Sequence, residues 1–298
     1  MKKILLAVTA VLAITGCSQN EDEVIINNDN PVEINLNGGV EATAVSRAAV
    51  NPGQALSDIQ FVRVDGDGIG TLSDFNTVKV TGTMAAGGTI TFSPVQYYPS
   101  DGSTKANILG FYPKATSIAA GLATMTITGD EDVLYASVVS GSKKNPITTS
   151  LSFQHKLTQF KFVVKRDDNS TDADIADVNV AIKNVNTVFK MNLADDGKLS
   201  DWDTPKSTIT PITGATATVA GTTETAGFML EPNLTSLVLT VSATGYDQSD
   251  VTITGTDGGK FEMGKAYTIT LTFKGKSITP SGAIADWTTG TSGGADIE

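Results

Sequence analysis

His155 is the only histidine in the 298-residue chain, and Cys17 is the only cysteine. A single histidine leaves few of the usual acid–base or nucleophile arrangements open. It lies in Leu151-Ser152-Phe153-Gln154-His155-Lys156-Leu157, an alternating stretch that reads as a strand. A lone cysteine forms no internal disulfide and no Cys/His zinc cage. The segment Asp65-Gly66-Asp67-Gly68-Ile69-Gly70 starts like a calcium loop. However, Ile69 takes a ligand place, and Asn76 stands where a bidentate Glu belongs, so an acidic turn explains it without metal. Asp167, Asp168, Asp172, Asp174 and Asp177 read as a solvated loop between strands. Gly38-Gly39 reads as a β turn, not a phosphate-binding loop. Trp202 and Trp287 could stack on sugars, but a core or edge aromatic is the simpler account of each. The expectation is a non-enzyme with no catalytic residue, no metal site and no cofactor.

The charge balance is acidic, 21 Lys and Arg against 32 Asp and Glu, a formal net charge of −11. That argues against nucleic acid, whose phosphates call for clustered cations. Lys2 and Lys3 precede an apolar run from Ile4 to Ile14. As a helix this run is about 16 Å long, too short for a hydrocarbon core of ~30 Å. It reads as a secretory signal. Ile14-Thr15-Gly16-Cys17 resembles a bacterial lipobox, in which cleavage precedes the cysteine and its sulfur is acylated. Residues 1–17 are therefore expected to be a lipoprotein signal peptide with its lipobox cysteine. The polar, acidic Ser18-Gln19-Asn20-Glu21-Asp22-Glu23 that follows reads as a flexible tether.

Beyond Pro31 the apolar residues recur at period two. Val32, Ile34 and Leu36 alternate with Glu33, Asn35 and Asn37, and further alternating runs include Val178-Val180-Ile182, Leu237-Leu239-Val241 and Tyr267-Ile269-Leu271-Phe273. Abundant threonine fills the facing positions, as β-branched residues do in half-exposed strands. Turn chemistry punctuates the runs at Gly87-Gly88, Asp101-Gly102 and Asp195-Asp196-Gly197. Short strands at this spacing predict an all-β chain of antiparallel sandwiches. The polar Lys143-Lys144-Asn145-Pro146 marks the expected joint, giving an N-terminal sandwich over 48–147 and a C-terminal one over 148–298.

Several segments together resemble the fimbrillin family, pilins polymerised by donor-strand exchange. They are Tyr97-Tyr98-Pro99-Ser100-Asp101-Gly102 leading to Gly110-Phe111-Tyr112-Pro113, then Asp132-Val133-Leu134-Tyr135-Ala136 followed by Leu151 to Leu157, and the ending Ile284-Ala285-Asp286-Trp287. Their order, behind the lipobox, covers nearly the whole chain. The resemblance implies two tandem transthyretin-like antiparallel β-sandwiches and an export route in which the acidic stretch behind Cys17 acts as a surface signal. The precursor would be held at the outer membrane by lipid on Cys17 and cut by an arginine-specific protease. Arg47-Ala48 offers that bond in a stretch rich in small residues, whereas Arg63 lies inside a predicted strand. Residues 18–47, tether and first strand, would then be removed. Loss of Val32, Ile34 and Leu36 would open a groove for the C-terminal segment of another subunit, with Ile278, Ile284 and Trp287 as candidate inserting residues. Proline 280 and Gly282 interrupt the alternation there. The expected partners are other pilin subunits in a head-to-tail polymer, and the expected location is the outer membrane, then the fimbrium. The competing reading is a lipidated adhesin or glycan-binding module that never polymerises, or an anchor or tip subunit of the same fold.

Overall fold

The computed structural model describes residues 30–41, 52–69, 80–168, 173–255, 259–274 and 277–285, with 203–206 and 277–285 described by backbone alone. Every regular element among the described residues is a strand. The described residues from Pro31 onward form one compact unit.

Seven strands close a barrel: β1 (Leu36–Val40), β2 (Leu56–Asp65), β3 (Val80–Met84), β4 (Thr89–Ser93), β5 (Ala106–Tyr112), β8 (Leu134–Gly141) and β9 (Leu151–His155). Their order around the wall is β1-β4-β3-β2-β5-β8-β9. Period-two alternation sends Ile59, Phe61, Met84, Ile90, Phe92, Ile108, Leu134 and Phe153 to a common core. The central strands are apolar on their other face too. Val62, Leu109, Phe111 and Tyr135 point outward into a second core shared with Met125, Phe189, Met191 and Met229. With both faces covered, β5 is buried without a break from Ala106 to Phe111.

The remaining strands form two further sheets. One is β13 (Phe228–Leu230), β10 (Thr158–Arg166), β16 (Ala266–Lys274) and β17 (Ser277–Ala285), in that order. The other runs β15 (Tyr246–Thr254), β14 (Ser236–Ala243), β11 (Ile175–Asn192), β7 (Leu122–Thr126), β6 (Ser117–Ala119), with β12 (Lys198–Ala217) also paired to β11. Between them lies a core of Phe160, Phe162 and Val164, Val178 to Ile182, Leu237 to Val241, and Tyr267 to Phe273 taken at alternate positions. Edge-on rings close it, with Phe261 4.9 Å from Phe160 and 5.0 Å from Tyr267.

Three sequence expectations need correction. The sheets are not wholly antiparallel, because β1 pairs β9 in parallel and β10 pairs β16 in parallel. The strands are not all short: β11 has 18 residues and β12 has 20. Register shifts hide this length. Between Ile182 and Val185 the inward series jumps three residues, and Asn184 takes φ 60°. Gly38-Gly39 is no turn either; both residues are laddered in β1 against Leu151 and Ser152. The hydrogen-bond ladders also cross position 147/148. β9, beyond it, closes the barrel, whereas β6 and β7, before it, extend the sheet of β11.

Candidate functional site: the seam of the barrel

β1 is the seam strand, antiparallel to β4 on one side and parallel to β9 on the other. Leu36 faces Ile90, and Asn37 faces Thr89. Gly38, Gly39 and Val40 face Leu151, Ser152 and Phe153. Just upstream the Val32–Ile34 stretch continues the pairing. Ile34 N–H donates to Gln96 O at 2.8 Å, and Tyr98 N–H donates to Val32 O at 2.9 Å. Downstream, Glu41 N–H donates to Phe153 O at 3.0 Å, while its carboxylate accepts from Ser152 Oγ and Gln154 Nε2.

The side chains follow the backbone. Ile34, Leu36 and Val40 are 1%, 3% and 6% exposed, and Val32 packs against the same core. Leu56, Ile59, Met84, Ile90, Tyr98, Leu151 and Phe153 belong to that core. Tyr98 is itself fixed, since its hydroxyl accepts from Ile147 N–H at 2.7 Å. Burying each of the three seam side chains contributes roughly 1.5–3 kcal/mol. Together they amount to a large share of the ~5–15 kcal/mol that holds a typical domain. A barrel without β1 would expose that apolar trough and two unpaired strand edges, those of β4 and β9.

Backbone approach is closest at Gly38. A methyl group there would lie 3.0 Å from Ile90 Cδ1, 3.1 Å from Met84 Sδ and 3.2 Å from Leu151 O. Gly88, with φ 88°, presses on the Gly38 carbonyl from the turn before β4.

Of the sequence-predicted site residues, Val32, Ile34 and Leu36 are therefore brought together along one seam. Ile278 and Ile284 lie in β17, opposite Phe273 and Tyr267 of β16. Cys17, Arg47, Ala48 and Trp287 lie outside the described residues. Arg63 is a β2 residue, ion-paired to Asp65 at 2.8 Å. His155 ends β9, and its Nδ1 lies 2.8 Å from Asp132 Oδ2, both groups buried. Half-buried Trp202 stacks on Phe189 at 4.2 Å. Sequence reasoning missed Gly38, Gly88 and Val40, although the Ile34-Leu36-Gly38-Val40 series was visible as a period-two run with one gap.

A second polar cluster ties the barrel to the tip of the β11–β12 hairpin. Tyr135 Oη–H donates to Leu193 O at 2.9 Å, and Ser137 Oγ–H donates to Asp196 Oδ1 at 2.6 Å. Lys156 Nζ donates to Asp196 O at 2.8 Å and sits 5.2 Å from the centroid of the Tyr135 ring. Burial pushes the Tyr135 phenol well above its ordinary value, with Asp196 and Asp195 adding to the shift. Burial likewise lowers Lys156, against the opposing pull of Asp196 and Glu41. Gly197, φ 67°, packs so closely that a methyl group there would lie 2.4 Å from Tyr135 Cγ. Among the described residues no group of three or more His, Cys, Asp and Glu could hold a metal ion.

A family model described as fimbrillin-like matches residues 43–287. Over 318 residues, the chain is 26% identical to "Putative fimbrium subunit Fim1C" of Bacteroides uniformis, covering 99% of this chain and 98% of that protein. Two solved structures share the fold, each described as a "putative cell adhesion protein". The one from Bacteroides uniformis has a TM-score of 0.60 at 22% identity, covering 88% of this chain and 99% of its own. The one from Bacteroides ovatus has a TM-score of 0.56 at 18% identity, with the same two coverages of 88% and 99%.

Proposed function

The chain belongs to the fimbrillin-like family, and on that premise we propose that it is a non-enzymatic structural subunit of a cell-surface fimbria, supporting adhesion. In this reading the precursor is exported as a lipoprotein, anchored in the outer membrane through acylated Cys17. An arginine-specific protease cuts between Arg47 and Ala48, which detaches the lipid anchor and frees β1 with Val32, Ile34 and Leu36. The vacated seam then takes the C-terminal segment of a neighbouring subunit, around Ile278, Ile284 and Trp287, by strand addition. Donor and acceptor surfaces differ, so the contact is head-to-tail and builds an open filament. The same reading treats 48–147 and 148–298 as tandem transthyretin-like sandwich domains, bound to each other by the strands that cross the joint.

One observation carries the reading. β1 and the residues just before it fill the barrel seam with buried Ile34, Leu36 and Val40, yet the chain continues from Glu41 straight into the stretch that holds Arg47. One cut there would separate a core-forming strand from the molecule it completes. Arg47→Ala should leave the protein lipidated at the membrane and abolish surface fibres, seen by fractionation and electron microscopy. Fibres at the wild-type level from that variant would discard the cleavage site.

A further inference from the structure

We infer that the seam selects its incoming strand by a glycine, and that Gly282 of a second copy takes the place of Gly38. This register rests on the strand-exchange reading above. The inward series of the displaced strand is Ile34-x-Leu36-x-Gly38-x-Val40, with the three side chains buried and Gly38 walled in by Ile90, Met84 and the Leu151 carbonyl. A methyl group would force those neighbours apart by a few tenths of an ångström, and a branched side chain has no room. An incoming strand therefore needs apolar residues four and two places before a glycine and two places after it.

Glycines beyond Phe273 stand at 275, 282, 290, 293 and 294. Gly275 is followed two places on by Ser277; Gly290 is preceded by Asp286 and Thr288; Gly293 is preceded by Thr289 and Thr291; and Gly294 is followed by Asp296. Only Gly282 fits, with Ile278 and Pro280 before it and Ile284 after it. The interruption that spoils the alternation of this segment thus matches the one in β1. Ser277, Thr279, Ser281, Ala283 and Ala285 fall on the outer face, where the displaced segment has Glu33, Asn35, Asn37, Gly39 and Glu41. Chain direction is kept, so the incoming strand runs antiparallel to β4 and parallel to β9, as β1 does.

Pro280 then occupies the place of Leu36. Gly38 N–H donates to Gly88 O, so amides at even-numbered positions of the seam strand face β4. Proline has no N–H, and the new ladder has one bond fewer on that side than the old one. Pro280→Leu should restore both the bond and the side chain of the displaced strand, and so tighten the contact.

The test uses the full chain, processed by an arginine-specific protease, with polymers read by electrophoresis and electron microscopy. Gly282→Val, confirmed folded by its thermal melt, should lower polymer yield by about tenfold or more. Pro280→Leu should raise the resistance of polymers to dissociation by urea. A cysteine pair gives the register without touching the core. The Asn37–Thr89 pairing places residue 281 opposite Thr89, so Ser281→Cys with Thr89→Cys should oxidise to an intermolecular disulfide ladder. The offset pair Ala283→Cys with Thr89→Cys should not. Polymers that cross-link only through the offset pair, or wild-type yield from Gly282→Val, overturn the register while leaving strand exchange standing. A processed wild-type chain that stays monomeric overturns strand exchange and the register with it.

Discussion

The seam side chains of β1 and of the residues just before it are part of the barrel core. Ile34 and Leu36 are almost wholly buried in the barrel core, so Ile34→Ala or Leu36→Ala should destabilise the intact precursor by about 2–5 kcal/mol. Urea unfolding monitored by circular dichroism checks this, and a loss well below ~1 kcal/mol would mean that the seam is not integral to the core. The polar positions of the same strand should behave otherwise. Asn35→Ser and Asn37→Ser, both exposed, should change stability by no more than about 0.5 kcal/mol. This contrast was legible in the sequence, because alternation alone separates Ile34 and Leu36 from Asn35 and Asn37. The tight place at Gly38 was not legible. A glycine pair after a polar residue looks like turn chemistry, and only the approach of Ile90, Met84 and the Leu151 carbonyl shows why no side chain fits. His155 shows the reverse limit. Its strand position was readable, but its partner Asp132 lies 23 residues upstream on another segment, beyond the reach of any local pattern.

Among the elements, the β11–β12 hairpin couples the barrel to the sheets beyond it, and Tyr135 is one of its contacts in the barrel wall. The phenol is raised above its ordinary value of 10.0 by burial. An unfolded chain therefore loses this proton first as pH climbs. Stability from this group is intact below pH 10 and declines above it, with a limiting slope of ~1.4 kcal/mol per pH unit. Tyr112, also raised by burial, acts with the same sign. Lys156, lowered by burial, acts oppositely: between its folded value and 10.5 the unfolded chain holds the extra proton, so stability rises there. Comparing Tyr135→Phe with the wild type cancels these other groups. The variant should lose about 1 kcal/mol at neutral pH with its hydrogen bond to Leu193 O, and show a shallower alkaline decline. Equal alkaline slopes in the two proteins would remove Tyr135 from this account. Element type was well read from the sequence, since period-two runs and Asp-Gly turns predict strands, and every regular element among the described residues is one. Element length and direction were not. Bulges at Ile182–Val185 and elsewhere break the alternation of β11, and the parallel pairings β1·β9 and β10·β16 join segments far apart in the chain.

For the molecule as a whole, the fold places β1 at a barrel seam and β17, the last strand among the described residues, at the edge of a separate sheet. A strand-exchange polymer needs both features in one subunit, one as the vacancy and the other as the filler. The sequence made the all-β class and the family resemblance visible from short motifs in a fixed order. It could not show that β9 closes the barrel or that β6 and β7 extend the other sheet, because such exchanges are decided by which edges remain unpaired after folding. The central claim is that proteolysis at the segment after β1 turns a membrane-held precursor into a polymerising subunit. It is tested most directly by treating the purified, lipidated full chain with an arginine-specific protease, then measuring the intact mass and N-terminal sequence of the product beside its oligomeric state. The account predicts a chain beginning at Ala48 that assembles into long polymers. A chain that still begins at acylated Cys17 and remains monomeric, or one cut at Arg47 that never assembles, would contradict it.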